Sequence, residues 1–169
     1  MTSFDQLPDS ARVWVYQASR PLTEAELTAA APALTQFVAD WTSHGRALRA
    51  GAAFFHNYFL VVGLDESQAG ASGCSIDASV HFVRNLEQQL NLNLLDKSQL
   101  AFLVDGAVRL LDRRELRAAV AAGTLSAQSR YFDNTLTTKG QLLTNWPAPA
   151  GQTWLRQYFV GAGRNAVAA

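Results

Sequence analysis

The stretch Tyr58-Phe59-Leu60-Val61-Val62-Gly63-Leu64-Asp65-Glu66-Ser67-Gln68-Ala69-Gly70-Ala71-Ser72-Gly73-Cys74-Ser75-Ile76-Asp77-Ala78-Ser79-Val80-His81-Phe82 governs the reading of the fold. It opens on an apolar run of strand length, crosses a loop of small residues, and enters a helix. Ile76, Val80, Val83, Leu86 and Leu90 recur at helical spacing and predict one core-facing stripe. The only cysteine of the chain, Cys74, stands where loop becomes helix.

Upstream, Leu48 to Phe55 and Tyr58 to Leu64 flank His56-Asn57 and predict a hairpin. Before them, Thr23 and Glu26 have capping-box spacing, and Leu27, Leu34, Phe37, Val38 and Trp41 line one helical face. Pro32 removes a backbone donor and is expected to kink or split this helix, which His44-Gly45 is expected to end. Arg12-Val13-Trp14-Val15-Tyr16-Gln17 is β-branched and aromatic without a helical stripe, and reads as a first strand.

Downstream, Leu100 to Val104 and Ala107 to Leu111 flank Asp105-Gly106, a tight-turn pair. Asp112 is expected to cap a short helix through Val120, closed by Gly123. The first six elements run strand, helix, strand, strand, helix, strand. That order predicts an α+β fold with a ferredoxin-like, split βαβ antiparallel sheet, its helices on one face, an extra hairpin strand and a C-terminal helical extension.

The 169 residues, 49% hydrophobic and 17% charged, suit one domain. Residues 12–112 are expected to form its core, 113–159 an extension packing on that core, and 160–169 a frayed tail. Fourteen basic and fourteen acidic residues cancel, so no overall field favours nucleic acid or anionic lipid. A lone cysteine excludes an internal disulfide framework and a multi-cysteine metal centre. The N-terminal residues lack signal-peptide character, and no apolar run approaches the ~18 residues of a spanning helix. A cytoplasmic protein without membrane insertion is the expectation.

Three chemistries are open to the central stretch. A Ser/Gly loop at a helix N-terminus presents backbone amides to an anion, with Ser67, Gln68, Gly70, Ser72, Gly73 and Ser75 as candidate ligand-binding residues. Alternatively, Cys74, Asp77 and His81 share the helix side opposite the apolar stripe, as nucleophile, orienter and base of a thiol-dependent acyl or sulfur transferase or hydrolase. His44, Asp65 and Glu66 are further candidates for base or orienter. Seven residues separate Cys74 from His81, about 10 Å of ideal helix, so direct contact requires Cys74 to lie in the loop. Thirdly, Trp14 and Tyr16 share one strand face and could serve a protein or RNA interaction surface.

Several motifs are incomplete. Gly70-Ala71-Ser72-Gly73 fails as a nucleophile elbow because Cys74 occupies the closing glycine position. No Gly precedes a Lys, which removes the P-loop. Cys74, His44, His56 and His81 lack zinc-ligand spacing, so neither metal nor cofactor is implied.

The central stretch, with Arg12-Val13-Trp14-Val15-Tyr16, Trp41-Thr42-Ser43-His44-Gly45 and Trp146-Pro147, resembles a family of small uncharacterised bacterial proteins often labelled "ABC transporter ATPase". The resemblance spans most of residues 12–159. Without a phosphate-binding lysine loop, it implies association with such a transport system at most, and it implies no catalytic residues. The leading functional expectation is a ligand-binding or regulatory module whose partner is a small anion or a protein.

Overall fold

The computed structural model describes residues 3–160. The expected tail thus lies, apart from Val160, outside the described residues. In chain order the elements are β1 (Arg12–Gln17), α1 (Glu24–Asp40), β2 (Thr42–Ser43), β3 (Arg46–Ala47), β4 (Arg49–Phe55), β5 (Phe59–Asp65), α2 (Gly73–Leu90), β6 (Gln99–Val104) and β7 (Ala107–Asp112). They are followed by α3 (Leu116–Ala121), β8 (Arg130–Tyr131), α4 (Lys139–Asn145) and β9 (Ala148–Pro149), with short 3-10 turns at Phe4–Gln6, Arg113–Glu115, Ala150–Gln152 and Trp154–Tyr158. This is an α+β fold with antiparallel sheets.

The chain divides into two compact units, residues 3–96 with 134–144 and residues 97–133 with 145–160. The boundary expected at Asp112 therefore falls after Asp96, and 134–144, expected to belong to the extension, joins the N-terminal unit.

In the N-terminal unit β5 is central, in the order β1-β5-β4, and all seven of its residues are buried. Because side chains alternate across a strand, it needs cover on both faces. Leu60, Val62 and Leu64 meet Leu34 and Val38 of α1 and Val83, Leu86 and Leu90 of α2. On the other face Gly63 lies under Leu7 and Phe4. A Cβ at Gly63 would come within 2.6 Å of Leu7 Cδ1, and one at its register partner Gly51 within 2.7 Å of the Phe4 backbone. The two glycines form a slot for the N-terminal 3-10 turn. Lys139, 5% exposed, fastens that turn by donating to the carbonyls of Asp5 (2.8 Å) and Leu7 (2.7 Å).

The single ferredoxin-like sheet does not form, and the hydrogen bonding gives the reason. The strand after α2 would have to enter this sheet, yet β6 is paired with β7 on one side and β8 on the other. The outer edge of β1 is taken by Thr137, whose carbonyl accepts from Val13, and by a bridge from Arg12 to Thr138. The C-terminal unit is thus built on its own sheet, β7-β6-β8-β9, with a core of Leu100, Phe102, Leu116, Tyr131, Ala150 and Leu155.

Local expectations fare unevenly. The Thr23–Glu26 capping box is present, and α1 runs unbroken through exposed Pro32, where the carbonyl that proline leaves unpaired can meet water. His44-Gly45 does not end α1. The helix stops at Asp40, and these two residues, at φ 49° and 75°, make the tight turn of the β2–β3 hairpin. His56-Asn57 and Asp105-Gly106 likewise turn with positive φ. Asp112 accepts from the Arg114 amide and starts the turn leading to α3, and Gly123, at φ 73°, follows its end.

Arg20 links the two helices. Its guanidinium donates to Glu26 at the start of α1 and to the Leu90 carbonyl at the end of α2. Glu26 also accepts from the Thr23 amide, and the Arg20 hydrogen bonds, followed by that one, push its pKa down to about 2 from an ordinary 4.5. A depressed carboxyl pKa contributes stability that is complete above 4.5 and lost as pH falls towards 2. Stability measured by urea unfolding across that window is expected to fall less steeply in Arg20→Ala than in the parent. Gly51→Ala is expected to destabilise by about 1–3 kcal/mol through overpacking. Gly73→Ala, with nothing within 4 Å of its Cβ, is expected to leave the urea midpoint equal or higher.

Candidate functional site

Three amides of the loop from Asp65 to Ser72 are taken by side chains of the chain itself. Asp65 accepts from the Ser67 amide (3.0 Å) and from Arg49 (3.0 Å), and these contacts, the Ser67 bond first, hold its carboxyl below the usual range. It is an ionised brace, unsuited to removing a proton. Glu66 reaches across the loop to the Ala71 amide (3.1 Å) and lies 3.6 Å from Arg12. Gly70 sits against this carboxylate, 3.8 Å from Glu66 Oε1 to its notional Cβ.

Ser72 is the N-cap of α2, and its Oγ accepts from the Ser75 amide while Ser75 Oγ accepts from the Ser72 amide. Two carboxylates of the chain and this reciprocal cap therefore occupy amides that an external anion would need. Ser67, Gln68, Gly70 and Gly73 are exposed.

Ser75 faces inward. With Ser79, one turn later, it is almost fully buried, while Ile76 and Val80, expected on the core stripe, are only half-buried. Two small residues let two large ones approach. Trp41 Nε1 donates to the Ser75 carbonyl (2.8 Å), and Tyr16 is hydrogen-bonded to Ser79. Burial raises the Tyr16 pKa, partly offset by that bond. Trp14 packs edge-to-face on Trp41, with ring centres 6.0 Å apart, and is covered by Arg12 at 4.6 Å. The expected open aromatic surface is corrected accordingly: Trp14 and Tyr16 face the helices, and Val13 points to the N-terminal turn side.

Cys74 is exposed and lies within the first turn of α2, so the loop position needed for contact with His81 is not adopted. His81 and Asp77 are both exposed and four residues apart on α2. His44, also exposed, is at the tip of the β2–β3 turn. Nucleophile, base and orienter are not brought together as a hydrogen-bonded set. Among the described residues no group of three or more His, Cys, Asp or Glu could hold a metal ion, and no helix is long and apolar enough to cross a membrane.

A concave surface does exist. It is a groove of about 540 Å³ between α1 and α2, lined by Ala33, Gln36, Phe37, Asp40, Ala78, His81, Phe82, Asn85, Leu86 and Gln89. Phe37 and Phe82 stack at 4.3 Å, nearly parallel at 9°, and Phe37 continues to Trp41 at 5.3 Å. An aromatic series thus leads from Trp14 to the groove. Gln36 donates to Asp40 (2.6 Å) on the rim.

No protein-family model, curated protein or solved structure matches the chain. Of the candidate residues read from the sequence, His81 alone lines the groove. The row Ala78, Phe82, Asn85, Gln89 on α2 and the row Ala33, Phe37, Asp40 on α1 were visible as spacing. An alanine followed one turn later by phenylalanine in both was the available signal. Exposure without a base partner leads to a clear expectation for the thiol. Cys74 is expected to be alkylated by a maleimide in the native protein, at a rate unchanged in His81→Ala; reaction only on unfolding, or a slowed variant, would contradict this geometry.

Proposed function

We propose that this protein is a non-covalent ligand-binding module whose site is the α1–α2 groove. The observation that carries the reading is the parallel Phe37–Phe82 pair in a concavity of about 540 Å³, within the usual range for small-molecule sites of roughly 300–1,000 Å³. The rim supplies side-chain amides from Gln36, Asn85 and Gln89, together with the Asp40 carboxylate and the His81 imidazole. Such a groove favours a small planar ligand with an apolar body and a hydrogen-bonding edge: the body packs on the phenylalanines, and amides both donate and accept at its perimeter. The braced loop between Asp65 and Ser72 supports this function indirectly, by fixing the start of the helix that forms one wall.

Ligand-observed NMR with fluorinated benzamides tests the proposal. Saturable binding is expected in the parent and a loss of tenfold or more in Ala78→Phe, which fills the groove from an exposed helix position. Failure of the whole set to bind, or binding indifferent to Ala78→Phe, would remove the groove from consideration.

A further inference from the structure

The neutral total charge conceals a division. In the N-terminal unit, residues 3–96 and 134–144, six basic residues stand against ten acidic ones; in 97–133 and 145–160, seven stand against four. Within the basic unit two arginines are held in the same way. The Arg113 guanidinium lies 5.2 Å from the centre of the Trp154 ring, and that of Arg117, four residues on, 5.3 Å from the Tyr158 ring. The rings pack edge-to-face on each other at 6.2 Å, and Trp154 is anchored through Nε1 to the Tyr131 hydroxyl (3.3 Å). Neither guanidinium has a carboxylate partner among the described residues, although neighbouring Arg114 is paired with Asp112 at 2.7 Å. Both arginines are exposed.

A guanidinium held over an aromatic face within about 6 Å is attracted to the ring and partly dehydrated, while its N–H groups remain available for bidentate hydrogen bonding. Arg113 stands in the 3-10 turn that leads into α3 and Arg117 in the first turn of α3, and the rings beneath them lie 6.2 Å apart, so two long side chains can converge on one group. A carboxylate carries one charge and fills one fork. A phosphoryl group carries up to two negative charges near neutrality and has three terminal oxygens, enough for both forks.

We propose that Arg113 and Arg117, backed by Trp154 and Tyr158, form a binding site for a phosphate monoester. The aromatic backing sets the direction of the forks, and the positive balance of the unit favours the dianion. This site is independent of the α1–α2 groove, and its failure would leave that reading untouched.

The test is a ³¹P NMR titration of phenyl phosphate with the full chain, run beside inorganic phosphate to separate an ester preference from simple phosphate binding. A saturable shift is expected, weakened tenfold or more in Arg113→Gln and in Arg117→Gln and kept in Arg156→Gln. Arg113→Lys retains charge but loses the planar fork and is also expected to weaken binding, with near-ultraviolet circular dichroism confirming that the aromatic packing is intact. Absence of a saturable shift, full binding by Arg113→Lys, or equal displacement by benzoate would each overturn the assignment; stronger binding of inorganic phosphate than of the ester would overturn the monoester preference.

Discussion

A strand buried along its whole length imposes more on this chain than any other element. β5 has β1 and β4 on its edges and apolar side chains on both faces, so the sheet around it cannot rest against solvent on either side. One face is covered by the amphipathic pair α1 and α2, which sequence periodicity anticipates. Its opposite face is met by a turn of three residues at the N-terminus, admitted only because Gly51 and Gly63 lie in register and lack side chains. The placement of α2, and with it the groove, follows from the first of these two contacts.

Small residues do a second service on α2. Ser75 and Ser79 allow Trp41 and Tyr16 to close on the helix and to satisfy their polar tips against it, which a larger residue at either position would prevent. The serine-rich stretch that suggests an anion site is therefore partly a seat for aromatic side chains. Within the loop, Asp65 and Glu66 accept from the Ser67 and Ala71 amides.

Where local chemistry decides, the sequence is legible. The capping box at Thr23, the turns at His56-Asn57 and Asp105-Gly106, and the strand from Arg12 to Gln17 all follow from rules acting over a few residues. Sheet membership is a long-range matter. Whether β6 enters the first sheet depends on which edges are already occupied, and the occupants, Thr137 and β8, are remote in sequence from the strands they block. The same limit applies to the candidate site. Cys74, Asp77 and His81 lie on the outer side of α2 as helix geometry requires, but the groove beside His81 owes its floor to Phe37, placed by the packing of a different helix. Strand alternation puts Trp14 and Tyr16 on one face, and the packing of that face against the helices makes it the inward one.

The Lys139 clip has a consequence for the order in which the protein can be completed. Its ammonium holds carbonyls 132 and 134 residues earlier in the chain. During synthesis from the N-terminus, every strand and helix of the first sheet is therefore made well before the residue that fastens its second cover. In that interval Phe4 and Leu7 lie over Gly51 and Gly63 without the Lys139 tie. Long-range closure of this kind slows folding and lengthens exposure to aggregation. The last tie of that cover is thus made only when residue 139 reaches its carbonyls.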